Sequence, residues 1–459
     1  MIRRFGVVLV GAAACGLTIE AHAAGFALTE DSAVESGEAD SGFAAAADDP
    51  STITSNPAGM TYFSGLTISG TMSAVLPSGN FTLAGAQTNI GPLGIPESGG
   101  AGPDPTRDAY LPAGYLIYAP TDELRLGLGI SVPFGLTTNW DSQSAPRYQA
   151  LISKVQTIDI NPSIAYKVTP WLSLGAGISA QWGKVELSNA VDFGTLVPLA
   201  LSKVGLIPPA ALPAVLAANS GRSFNDGLAD VKGSSWEVGY DLGAIVEPTP
   251  GLRLGLSYRS AIDHSINGSG NFTVPPQFLA AVAALGEFSN TSAQASLDLP
   301  DQVIVGLSDD VTPQLTLNLT YKWTDWSRFS QIAVYFGNPL QPPAIQSENY
   351  QNTSFISVGG SYKLDDQATL RAGFAYDESP VQDIDRDFRL PDGDRYWLTI
   401  GGSYKVTDHL ALSASYEHLF FSSSNISHSV AYVPGVVNTV TGGVTTSADI
   451  IAGEVTVNF

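Results

Sequence analysis

The sequence predicts an all-β fold, a fourteen-stranded antiparallel barrel that crosses a membrane with its lumen plugged by its own N-terminal segment. Three observations predict it. The chain opens on an export leader and has no later stretch that reads as a spanning helix. A hairpin of one design recurs along its length. Tight turns alternate with long links.

Arg3 and Arg4 precede an apolar run from Phe5 to Ile19, and Ala21-His22-Ala23 forms an A-x-A cleavage site. Residues 1–23 therefore read as a secretory signal cleaved after Ala23. The run is shorter than the ~20 apolar residues of a spanning helix. The only cysteine, Cys15, admits a rival, a lipoprotein signal, but Ala12-Ala13-Ala14 before it lacks the leucine-like residue three positions upstream. After cleavage no cysteine remains to form a disulfide. Downstream, Leu196 to Ala218 comes nearest to a spanning helix, yet it contains Lys203, Pro198, Pro208, Pro209 and Pro213. A closed barrel is the other way to satisfy every backbone polar group in lipid.

Composition agrees. Charged residues make up 14% of the chain and hydrophobic residues 44%, with 47 glycines; a soluble domain carries about 25% charge. The formal net charge of −22 excludes nucleic acid as a partner, since phosphate binding needs clustered Lys and Arg.

Each hairpin has an aromatic or aliphatic strand end, a tight turn, and then alternating apolar residues. Tyr118 to Ile130 and Tyr166 to Ile178 are two copies, and others turn at Thr249-Pro250, Thr312-Pro313, Asp365-Asp366 and Thr407-Asp408. Leu124, Leu126, Leu128 and Ile130 share one face, with Arg125, Gly127, Gly129 and Ser131 on the other, because side chains alternate along a strand. A soluble sandwich alternates too. Here the apolar faces often end in Tyr or Trp, as an interfacial girdle does, and the opposite faces carry Arg, Lys and Asp among glycines. Long links fall near 76–108, 133–149, 189–226, 268–294, 337–349, 378–393 and 422–445. Six turns and seven links join fourteen strands, an even count as bacterial barrels require. The last strand alternates Ile451, Val455, Val457 and Phe459 and ends on its aromatic residue, which resembles the signal read by the barrel-assembly machinery.

Residues 24–61 do not alternate. They are small and acidic, with Glu30, Asp31, Glu35, Glu38, Asp40, Asp48 and Asp49 among Ala, Ser and Gly. One reading is a disordered leader. The other is a compact plug whose acids pair with inward arginines such as Arg125, Arg253 and Arg371. Residues 62–459 then form the barrel.

Several segments together resemble the FadL family of outer-membrane fatty-acid and hydrocarbon transporters. They are Ala24-Gly25-Phe26, the Ala-Asp-Asp of 47–49, Asn56-Pro57-Ala58 and Val132-Pro133-Phe134-Gly135-Leu136. Asn161 to Tyr166, Thr324 to Ser327 and Leu390 to Trp397 complete the set, which spans essentially the whole mature chain. The resemblance implies a barrel with an N-terminal hatch of short helices. It implies passive, ligand-gated passage of a hydrophobic small molecule from an extracellular apolar groove to a buried pocket. The exit would be sideways, through a gap at a kinked third strand. The setting would be the bacterial outer membrane, with its lipid and lipopolysaccharide as neighbours, and a narrow lateral exit suits a monomer.

The residues offer counterparts. Phe26, Asn56, Pro57 and Ala58 are the hatch candidates, with Asn-Pro as a rigid turn. In the third strand Gly127 and Gly129 remove packing, and Pro133, beside Phe134, removes a ladder donor, so a bulge is expected there. Helical loops near 189–226 and 268–294 offer Leu196, Leu199, Leu206, Phe278 and Leu279 for the groove, or simply pack on each other. A carboxylate headgroup needs a cation, for which Arg147, Lys184, Lys322 and Arg328 are candidates; a hydrocarbon needs none. Lys322 faces inward by parity, whereas Lys184 has outward parity and needs a bulge to turn it in. No catalytic motif, metal set or cofactor site emerges. His264, His409, His418 and His428 stand outside any hydrolase pattern. The loop acids Asp383, Asp385, Asp387, Asp392 and Asp394 alternate with Arg386, Arg389 and Arg395 without calcium-loop spacing, as self-neutralised charges or a lipopolysaccharide contact. The rival functions are a general diffusion porin, an outer-membrane enzyme and an adhesin.

Overall fold

A computed structural model describes residues 25–459. The expected export leader, residues 1–23 with Cys15, lies outside the described residues. One continuous antiparallel sheet closes on itself into fourteen staves. β1 (Leu66–Ile90) and β2 (Ala109–Tyr118) are followed by β3, which is broken into Leu124–Ser131 and Gly135–Asn139. β4 (Ile152–Thr169), β5 (Leu172–Asp192) and β6 (Asp226–Thr249) come next. β7 (Leu252–Arg259, Ile262–Thr273), β8 (Thr291–Leu299, Gln302–Asp310) and β9 (Leu315–Thr324, Gln331–Phe336) are each interrupted once. β10 (Thr353–Lys363), β11 (Ala368–Asp377), β12 (Arg395–Thr407), β13 (Leu410–Phe421) and β14 (Val436–Asn458) complete the wall. β14 pairs with both β13 and β1, which closes the cylinder.

All six tight turns fall where the sequence places them. The outward face is apolar along its length: Leu126, Leu128 and Ile130 on β3 and Leu174 and Ile178 on β5 are exposed. Tyr118, Tyr166, Trp171, Tyr362 and Tyr404 ring the turn side, and Tyr110, Trp236 and Tyr335 ring the loop side, as the girdles of a lipid-facing wall do. β1 and β14 differ from expectation. Links at 76–108 and 422–445 were expected, yet β1 runs on to Ile90, paired with β14 down to Ile90–Val436. Pro77, Gly79, Asn80 and Gly85 break the alternation there, so the segment reads as loop although its backbone is paired on the β14 side. Short edge strands Leu93–Pro96 and Ser424–Val433 widen this projecting sheet.

Inside the barrel sits the hatch. It contains α1 (Ala33–Ser36), α2 (Thr52–Ser55) and a 3-10 turn Pro57–Tyr62. Ala39, Asp40 and Ala47 hold left-handed backbone, with φ of 53°, 56° and 51°. Non-glycine residues there cost roughly 1–2 kcal/mol each, so the surrounding wall must hold the segment in place. Helices α3 (Phe193–Lys203), α4 (Leu212–Asn219) and α5 (Leu279–Leu285) lie on the long loops opposite the tight turns.

Candidate functional site

The hatch is anchored residue by residue. Asn56 is fully buried; its amide donates to the carbonyls of Ala44 at 2.7 Å and Ala244 at 3.2 Å, and its Oδ1 accepts from Ala58 N at 3.1 Å. The Asn-Pro-Ala element thus ties hatch to wall as well as turning the chain. Glu454 on β14 accepts from Ala33 N at 2.9 Å and Ser32 Oγ at 3.1 Å, at the start of α1. Of the three inward arginines, Arg371 pairs with Glu38 at 3.1 Å and with Asp48 at 3.4 Å. The other two bind backbone carbonyls rather than hatch acids: Arg253 donates to Ala46 O within the hatch, and Arg125 to Phe63 O just after it at 2.6 Å. Backbone carbonyls compete well for guanidinium donors where the chain turns past them.

The acids exceed these cations, and burial shifts them. Burial raises Asp31 to about 6 against hydrogen bonds from Tyr115 and Thr54. Burial and then Asp48 raise Glu38 to about 7, and burial raises Asp40 to about 8. Glu35 goes well above the carboxylate range through burial reinforced by Asp31 and Asp49.

Beyond the hatch, β3 loses contact with its neighbour. β2–β3 pairing ends at Gly114–Ile130, after which Ala109 to Ala113 pair only with β1. The upper half of β3 pairs only with β4. A bridge between Thr106 and Thr138 and the Asn139 N to Pro105 O bond of 2.8 Å close the opening above. The result is a window in the wall. Pro112 and Pro133 stand on its two sides, where residues without an amide donor lessen the cost of unpaired backbone near lipid. Gly127 and Gly129, expected at this kink, lie in the regular half of β3, paired on both sides. Their inner faces press on the hatch: a Cβ at Gly127 would come within 2.4 Å of the Met60 sulfur, and one at Gly129 within 3.1 Å of Ile53. The break itself falls at Val132-Pro133-Phe134.

From within, the start of the hatch hooks onto this break. Leu28 N donates to Pro133 O at 2.9 Å, and Gly135 N to Phe26 O at 3.0 Å. The Phe26 ring packs edge-on against Trp326 at 4.8 Å, Phe329 at 5.4 Å and Phe134 at 6.0 Å.

A cavity of about 780 Å³ occupies the space around residues 25–28. Leu419, Ala448 and Ile450 line it from the lumen, whereas Tyr110, 67% exposed, and Ile130, 45% exposed, line it from the lipid side. The cavity therefore passes through the wall. Its walls are mainly apolar, with Glu30, Asp392 and Arg395 at the inner end. Arg395 donates to Gly25 O at 2.9 Å and to Asp392 at 3.1 Å.

Residues 14–459 match the family described as outer membrane protein transport protein (OMPP1/FadL/TodX). The chain belongs to this family. An outer membrane protein of Neisseria meningitidis serogroup B is 30% identical over 431 residues, covering 91% of this chain and 90% of that one. A long-chain fatty acid transport protein of Escherichia coli O6:H1 is 28% identical over 393 residues, covering 83% and 84%. The crystal structure of a Pseudomonas aeruginosa FadL homologue superposes with a TM-score of 0.83 at 27% identity, covering 95% of this chain and all of that chain. As a FadL-family barrel the protein sits in the outer membrane and serves transport of hydrophobic compounds.

The four headgroup candidates do not line the cavity. Arg147 is fully buried elsewhere, paired with Asp226 at 2.7 Å and bonded to the carbonyls of Ser144 and Gly221. Lys184 keeps its outward parity, with no bulge to turn it in. Arg328 pairs with Asp263 at 2.8 Å. Lys322 does face inward, its ammonium 4.6 Å from the Phe355 ring and 5.9 Å from the Phe43 ring. Of the groove candidates, Leu196 and Phe278 pack with Phe193, Val197 and Val282 in one cluster, Leu199 is half-buried, and Leu206 and Leu279 are exposed. Within the acidic loop 383–394, Asp387, Asp392, Asp394 and Arg386 are buried, whereas the Asp383 side chain, paired with Arg386, is exposed. In the sequence Arg395 stands in that charged cluster and in the Leu390 to Trp397 segment, not among the headgroup candidates. Its inward parity on β12, two residues before the inward Trp397, was the signal that could have singled it out.

Proposed function

We propose that this barrel takes up long-chain fatty acids by passive diffusion, gated by the ligand and released sideways through the window in β3. One observation carries the reading: an apolar cavity, within the ~300–1,000 Å³ of small-molecule sites, runs from the lumen to the lipid-facing surface and is partly filled by residues 25–28. An acyl chain entering it takes the space that residues 25–28 partly fill, so binding and displacement of the N-terminal hook are one event. Arg395 favours a carboxylate over a bare hydrocarbon, since its Nε has no protein partner among the described residues and the Gly25 carbonyl it holds leaves with the hook. Entry starts at the loop cluster around α3 and α5, where Leu206 and Leu279 expose apolar surface.

A cross-link tests the exit. Cysteines replacing Pro112 and Val132, joined across the window by a short bis-maleimide or disulfide linker, are expected to lower uptake of labelled oleate about tenfold or more. Reduction of a disulfide linker should restore it. Undiminished uptake with the window linked would contradict the lateral route.

A further inference from the structure

Beyond the transport path, the lipid-facing side of β4, β5 and β6 carries cations at one height. On β5 the outward residues run Leu174, Ala176, Ile178, Ala180 and Trp182, and the next is Lys184. Trp171, at the periplasmic turn, and Trp182 are separated by about the 9–11 residues that a tilted strand needs to cross the bilayer core. Lys184 thus stands just above the outer interface. Its neighbours by register are Lys154 on β4 and Lys232 on β6, which lie opposite Glu186 from its two sides. Lys232 spends its charge on Glu186 at 3.2 Å and Asp230 at 3.0 Å. Lys154 and Lys184 make no ion pair among the described residues. In a chain of net charge −22 with 21 Lys and Arg in all, three lysines gather on adjacent strands at one level, where Glu186 and Asp230 offset Lys232 and leave Lys154 and Lys184 as the unspent cations.

A groove of about 500 Å³ lies directly above it. Trp140, Leu151 and Leu228 contribute apolar lining, and its charged residues are Arg107 and Lys232 with Asp141, Glu186 and Asp230. Lys154 also lines the wall-crossing cavity, so the patch adjoins the window.

We propose that this surface binds a phosphorylated glycolipid of the outer leaflet. Its phosphates meet Lys154 and Lys184, its sugars lie in the groove, and its acyl chains run down the wall beside the window. Height above the aromatic ring, unspent ammonium charge on Lys154 and Lys184 and the apolar lining of the groove beside them all fit that amphiphile. A soluble anion would use only the lysines. The site is independent of which molecule the barrel carries.

The test counts glycolipid bound to the full chain, purified from outer membranes in mild non-ionic detergent and analysed by native mass spectrometry. Wild type is expected to retain a lipid A-containing mass through a wash with inorganic phosphate. The variant K154Q/K184Q should bind it about thirtyfold more weakly, each surface lysine being worth about fivefold. K363Q/K405Q, which removes equal charge at the periplasmic rim, should retain it. The single variants K154Q and K184Q, each expected to weaken binding about fivefold, serve if the double variant fails to assemble. Equal retention by wild type and the patch variants would overturn the proposal. So would release from wild type by inorganic phosphate, which would mark a plain anion site.

Discussion

Gly243 on β6 shows why the inner wall carries so many glycines. A Cβ there would lie 2.0 Å from Asn56 Oδ1 and 2.9 Å from Pro57. Glycine is the residue that lets the Asn-Pro-Ala turn reach the strand and make its bonds to wall and hatch. Gly175, where a Cβ would fall 2.4 Å from Ala58 N, plays the same part on β5. The substitution G243A is therefore expected to unseat the hatch while the barrel still assembles, at a cost of about 1–3 kcal/mol for the overpacked contact. Single-channel conductance in planar bilayers should rise severalfold over wild type. Conductance equal to wild type would show that the hatch does not depend on this seat. These glycines were visible in the sequence as members of an inner face. Their role was not, because it depends on a segment some 190 residues away in the chain.

At the scale of the element, the hatch is a strongly acidic body in an under-compensated lumen. Arg371, Lys322 and Arg395 face it as cations, while Asp377, Glu417 and Glu454 of the wall add further acids. Asp31, Glu38 and Asp40 hold their protons to about 6, 7 and 8 when docked, against about 4 in an unfolded chain. Between those limits the docked hatch binds more protons than the released one. Docking therefore weakens as pH rises from about 4 to about 8. Protease cleavage within residues 25–62 of the reconstituted protein should be slower at pH 5 than at pH 8; faster cleavage at pH 5 would reverse the assigned sign.

The elements differ in how far they could be read. Turns and outward faces were legible because alternation is local, and the plug was legible as a segment without alternation between leader and first strand. The upper half of β1 was not, since prolines and glycines hide a strand whose pairing comes from β14, more than 300 residues later. Nor was the inner face of β1, where Thr67, Ser69, Thr71 and Ser73 are buried opposite an outward face that includes Gly70 and Ala74. Hydropathy alternates weakly there although burial alternates well.

For the molecule as a whole, backbone pairing lapses between β6 and β7 and between β8 and β9 as well as where β3 turns from β2, and it is at the β3 break that the hatch hook, the aromatic cluster and the cavity all meet. Pro133 and the Val-Pro-Phe break were legible as a local irregularity; the meeting of N-terminus, β3 and β12 at one cavity was not, because no local pattern encodes it. Arg147 and Arg328 illustrate the limit: sequence shows a cation near an apolar loop, and only the fold shows that Asp226 and Asp263 already hold it. The most direct measurement is a cryo-electron microscopy or crystal structure of the protein with bound oleate. The lateral route predicts acyl density in the wall-crossing cavity beside Leu136 and Leu419, the carboxylate at Arg395, and residues 25–28 displaced from the β3 break. Oleate density running along the barrel axis past an undisturbed Phe26, with the window empty, would contradict it.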